Sequence, residues 1–131
     1  MASSVNFPVP TDELQTIAEG ACETALGSAT QYDHSSVAEW NSKIINNILQ
    51  SLIEKTKTET GDSAPFKFIV NSTIIQHLTS PSESASGGRR GMHSAVGAYW
   101  NNEKDGTWSF KWAGADAKGM DIVVSITWIG M

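Results

Sequence analysis

A single cysteine, Cys22, stands in a chain of 131 residues, so no disulfide framework can form within the chain and a reducing compartment fits. Cationic side chains are few as well: nine Lys and Arg face fourteen Asp and Glu, for a net charge of −5. The basic stripe by which a protein grips a phosphate backbone is missing, so no nucleic-acid partner is expected. A mildly basic protein partner suits this charge, although acidity of this size also serves solubility. No apolar run reaches the length that spans a bilayer, and direct membrane insertion is not expected. The opening MASSVNFPVPTDE has no basic segment followed by an apolar run, so it does not read as a signal peptide. His34, His77 and His93 are scattered without the spacing of a metal site, and no metal or cofactor is expected. No nucleophile, base and oxyanion donor can be named together, so no catalytic residue is assigned and the chain is not read as an enzyme. Cys22, beside Gly20 and Ala21, reads as a small buried side chain, although a Cys/His pair can be assembled from distant positions.

What is present describes a folded domain. Apolar residues make up 40% and charged residues 18%, ordinary values for a globular protein, and the length suffices for one core. Residues 1–10 carry Pro8 and Pro10 and read as a loose leader, with a single domain over residues 11–131. Thr11 is placed to cap a helix with Asp12 and Glu13 in its first turn, the favourable sign at that end. Leu14, Ile17, Ala18, Ala21 and Ala25 continue at helical spacing to a terminator at Gly27. Ser36 and Glu39 have capping-box spacing before a second, broader stripe of Val37, Trp40, Ile44, Ile45, Ile48, Leu49 and Leu52.

Beyond Pro65 the period changes to two. PFKFIVNSTIIQ, GMHSAVGAYW, TWSFKW and MDIVVSITWIG read as strands. Turns at Asp105-Gly106 and within GADAKG join the later ones. Strands linked by turns are antiparallel, so the expected fold is α+β: two N-terminal helices packed on a four-stranded antiparallel sheet. The last strand is apolar on both sides, as expected of a strand covered twice.

The second strand raises a question of pairing. It follows HLTSPSESASGGRRG, which is longer than an ordinary hairpin loop. The plain reading is an excursion, cheap because closure entropy grows slowly with length. The other is a crossover that delivers the strand to a second copy of the chain. Ser94, Ala95, Gly97 and Ala98 are small enough for another backbone to come close. Within the loop, Gly87 to Gly91 has a faint RNA-binding look, without neighbouring aromatics; a solvated loop is the plainer account. Ser80, before Pro81, could accept a phosphate near Arg89 and Arg90, set against a loop that is merely soluble.

Taken as a set, YDHSSVAEW (Tyr32 to Trp40), PFKFIV (Pro65 to Val70), GMHSAVGAYW and DGTWSFKW resemble the Tctex-type dynein light chains in content and order. The resemblance runs from about Tyr32 to the C-terminus, and the preceding helix agrees in position. It implies a non-catalytic cytoplasmic homodimer that exchanges its second strand, here Met92, His93, Ser94, Ala95, Val96, Gly97, Ala98, Tyr99 and Trp100. It further implies binding of a disordered segment of the dynein intermediate chain, attachment of cargo proteins, and a place on the microtubule cytoskeleton. An adaptor outside the motor, gripping a receptor tail or a trafficking protein, is the alternative. An extended peptide added to the exchanged strand would bond through its backbone. Its pockets would fall at His93, Ala95, Gly97 and Tyr99, or on the other face at Ser94 and Val96.

Overall fold

The computed structural model describes residues 9–57, 65–76 and 93–131. Its elements run α1 (Thr11–Leu26), α2 (Val37–Thr56), β1 (Phe66–Gln76), β2 (Gly106–Trp112), a 3₁₀ helix over Ala113–Lys118, and β3 (Met120–Gly130). The α+β expectation holds for two helices and an antiparallel sheet of three strands in the order β1-β3-β2.

Strict alternation puts β3 at the centre. Met120, Ile122, Val124, Ile126 and Trp128 point to the helices and are fully buried, while the intervening residues are half-buried on the outer face. Ile126 lies opposite Val70 on one side and Trp108 on the other. Two helices suffice to bury this central row but cover the flanking strands only in part. Phe66, Phe68, Val70 and Ile74 of β1 and Trp108 and Phe110 of β2 face the helices half-buried. The helix stripe behaves as its spacing predicts: Trp40, Ile44, Ile48 and Leu52 are buried, with Leu14, Ala18, Ala21, Cys22, Ala25 and Leu26 from α1. Ser72 interrupts the apolar row of β1, and its hydroxyl donates to Asn41 Oδ1 of α2 at 2.7 Å, which satisfies it at the helix–sheet seam. A Lys55–Glu13 ion pair at 3.4 Å joins the end of α2 to the start of α1, and Lys118 Nζ donates to the Ala29 carbonyl at 2.7 Å across the loop between the helices.

The helix ends differ from the sequence expectation. Thr11 is the first helical residue, not the cap; extended Pro10 precedes it and its carbonyl takes the Leu14 N–H at 3.0 Å. The α2 capping box does not form, because the Ser36 N–H that Glu39 would take goes instead to the backbone carbonyl of Asp33, at 2.9 Å. The Asp33 carboxylate accepts from Ser35 N at 3.1 Å, Ser35 Oγ at 2.7 Å and Ser36 Oγ at 3.0 Å, so the Ser36 side chain is turned away from the helix it precedes. Gly27 follows the last helical residue but stays right-handed, at φ −58°. GADAKG is a 3₁₀ helix rather than a simple turn, closed by Gly119 at φ +78°, a left-handed position that suits glycine.

The fourth strand of the expected sheet is not found among the described residues. Residues 93–100 belong to no strand, and Met92 lies outside the described residues. A strand needs a ladder partner for its backbone groups, and nothing within this protomer supplies one to that segment among the described residues.

Two outcomes test this packing. Ile126→Ala removes a fully buried side chain from the central strand and should lower stability by about 2–5 kcal/mol in urea unfolding. Burial, followed by the carboxylates of Glu19 and Glu23, pushes the Cys22 thiol from 9.0 up to about 12. The folded chain therefore keeps a proton that the unfolded chain releases, and stability should fall as pH rises from 9.0 toward about 12. Paired unfolding curves across that range should show the pH-dependent loss shrinking in Cys22→Ala.

Candidate functional site

The site begins where β2 begins. Upstream of Gly106 the chain is knotted into a tight turn: Lys104 N and Asp105 N both donate to the Asn101 carbonyl, at 3.0 and 2.8 Å. Asn101 Oδ1 accepts the Glu103 N–H at 2.9 Å, and the Trp100 indole donates to Asn102 Oδ1 at 3.0 Å. Asp105 is only 7% exposed; its Oδ2 accepts from Asn101 N at 2.8 Å and its Oδ1 from Gly130 N at 2.7 Å. The turn also sits hard against its neighbours. A Cβ on Gly106 would lie 2.5 Å from the Trp128 ring, and one on Gly130 would lie 2.6 Å from the Lys104 Cβ.

From this knot residues 93–100 run out as an arm. His93 to Tyr99 are all exposed and Trp100 is half-buried, so the structure brings these expected site residues together in one unpaired segment. Val96 is 95% exposed and Tyr99 104%, values for side chains that touch almost nothing in their own protomer. The arm overhangs the outer face of the sheet. Between them lies a cleft of about 720 Å³, floored by Ile69, Thr107, Thr127 and Ile129 and flanked by Val96 to Trp100. Ile69 is itself 54% exposed. Two hydroxyl pairs cross the β2–β3 ladder on this face, Thr107 with Thr127 at 3.1 Å and Ser109 with Ser125 at 2.8 Å, and Ile75 and Val123 lie on it as well.

The sheet is open at its edges among the described residues. β1 and β2 each pair only with β3 among the described residues, so eleven-residue β1 has one edge without a strand. A long unpaired edge is a template for another strand, and the arm is a strand-like sequence without a ladder. The chemistry available here is backbone hydrogen bonding plus burial of a few apolar side chains. Val96 and Tyr99 would each gain about 1.5–3 kcal/mol on full burial.

The remaining residues singled out from sequence fall elsewhere. The Tyr32 hydroxyl meets His34 Nδ1 at 2.8 Å in the turn before α2, far along the chain from the arm. In that turn the Ser35 side chain, then the Ser36 side chain and the Ser35 N–H, hold the Asp33 carboxyl below its ordinary range. Trp40 and Trp128 are core residues and Trp108 is half-buried. No group of His, Cys, Asp and Glu that could hold a metal occurs among the described residues. Ser80, Arg89 and Arg90 lie outside the described residues. Sequence reasoning missed the cleft floor of Ile69, Thr107, Thr127 and Ile129, since alternation marks a face without saying what approaches it. Asp105 was legible only as half of a turn dipeptide.

Comparison with known proteins shows the family of the chain. The Tctex-1 family model matches residues 8–129. A Schizosaccharomyces pombe protein named dynein light chain Tctex-type is 35% identical over 127 residues, covering 97% of this chain and 100% of its own. Proteins of the same name from Drosophila melanogaster and Dictyostelium discoideum are 29% and 27% identical, covering 88% and 96% of this chain and 85% and 96% of theirs. Those names denote light-chain subunits, not enzymes. With a family match over nearly the whole sequence and full-length relatives, the chain belongs to the Tctex-1 family, the Tctex-type dynein light chains.

Proposed function

We propose that this chain, through its domain of residues 11–131, forms a homodimeric light chain of the dynein motor. Residues Met92 to Trp100 of each protomer pair with the open β1 edge of the other. The single observation that carries this reading is the combination of an exposed arm, with Val96 95% and Tyr99 104% exposed, and a sheet edge of the same protomer that is unpaired among the described residues. Each supplies what the other lacks, and exchange between identical copies satisfies both at once.

The exchanged arm has its own outer edge. A disordered segment of the dynein intermediate chain adds there as a further strand, its backbone bonds giving affinity and its side chains reading the pockets between alternate arm residues. Two equivalent grooves hold two chains side by side and raise avidity without stronger individual contacts. In this role the protein works in the cytoplasm on microtubule-bound motors and helps attach cargo proteins. No helix among the described residues is long and apolar enough to cross a membrane. A phosphate on Ser80 would add negative charge near Arg89 and Arg90 in the sequence between β1 and the arm.

Substitution separates a free arm from an exchanged one. On a solvated segment Val96→Asp and Tyr99→Ser should each change stability by no more than about 0.5 kcal/mol. In the exchanged dimer each should weaken association by about 1–3 kcal/mol, read from sedimentation over a dilution series. Calorimetric titration with the N-terminal segment of the same organism's intermediate chain should give one peptide per protomer. A well-formed dimer that binds no such peptide would replace the motor role with that of an adaptor serving a receptor tail or trafficking protein.

A further inference from the structure

We propose that Asp105 is the positioning residue of the exchange, its buried carboxylate fixing the direction in which residues 93–100 leave the protomer. This rests on the exchanged-dimer reading above. Asp105 grips the two places that define the exit. One oxygen holds Asn101 N–H, the first backbone donor after the arm, at 2.8 Å. The other holds Gly130 N–H, at the end of central strand β3, at 2.7 Å. The base of the arm is thereby tied to the most deeply buried strand of the molecule through one side chain that is 7% exposed.

The surroundings leave that tie no slack. Gly106 passes so close to the Trp128 ring, and Gly130 so close to Lys104, that neither position has room for a Cβ. Asn101 in turn is held by its carbonyl, which takes the Lys104 and Asp105 N–H groups, and by its side chain, which takes that of Glu103. A flexible base would let the arm sample many directions, and docking on a partner would have to suppress them. A base clamped beforehand lowers that cost and tightens association without adding a contact at the interface. The clamp requires two acceptor oxygens on one short side chain. Asn keeps the shape but offers one acceptor and sets an NH₂ donor against a backbone N–H. Ala leaves both N–H groups without their carboxylate.

The test uses the full chain as wild type, Asp105→Asn, Asp105→Ala and Ile126→Val, the last lowering stability from the core without touching the clamp. Sedimentation over a dilution series gives the dimer dissociation constant, and amide hydrogen exchange reports Asn101 and Gly130 separately from the core of β3. Expected is a dissociation constant raised about tenfold in Asp105→Asn and further in Asp105→Ala. Exchange should quicken at Asn101 and Gly130 while Ile122, Val124 and Ile126 stay protected. If Asp105→Ala loses core protection altogether, the isosteric Asp105→Asn decides. Dissociation constants for Asp105→Asn that match those of Ile126→Val would overturn the proposal, leaving Asp105 a turn residue only. A wild-type chain that stays monomeric throughout the series overturns the exchanged dimer itself, a result visible before any variant is measured.

Discussion

Strand β3 is hydrogen-bonded along both sides and buried along its helix-facing row, and the other elements take their places from it. Met120 to Trp128 supply five fully buried side chains from a single strand. The helices lie where they do because that row must be covered. β2 runs antiparallel to β3 because the six-residue 3₁₀ helix between them leaves no length for a crossover. The burial concentrated in β3 also explains why the molecule can leave its flanks incomplete. A strand with two ladders and a dry face holds the domain together while both outer edges remain unpaired among the described residues.

Incompleteness of this kind is a hazard unless something is built to meet it. Here the arm and the open edge have complementary deficits, one lacking a ladder and the other lacking a neighbour. The arm's small residues, Ala95, Gly97 and Ala98, suit close backbone approach, and Val96 and Tyr99 provide apolar area for burial. The cleft under the arm is lined by threonines as well as isoleucines. An occupant of that cleft meets hydroxyls already paired to each other across the strands, so burying them would strand few donors.

The turn at the base of the arm is the most constrained backbone on this side of the domain. One buried carboxylate, two glycines without room for a Cβ and a carbonyl that accepts twice converge within residues 100–106 and the end of β3. Such density is unusual for a surface turn, which ordinarily tolerates change. It makes sense if the direction of the arm matters.

Much of this could be read before any coordinates. Seven apolar positions at helical spacing defined α2, strict alternation in MDIVVSITWIG defined β3, and a resemblance carried by four short motifs named the family that comparison then matched over residues 8–129. These features are local or periodic, and the hydrophobic effect translates them directly into elements and faces. The start of α2 was not legible, because spacing pairs Ser36 with Glu39 while the folded turn gives the Ser36 N–H and hydroxyl to Asp33. Nor was the role of Asp105, since its second partner, Gly130, is 25 residues away. By itself the sequence determined the elements, the buried faces and the family, since each depends on spacing along one chain. Only the tertiary structure decided which edge stays open, which side chains floor the cleft and which carboxylate ties the arm to β3, because those depend on residues far apart in sequence arriving within hydrogen-bond reach.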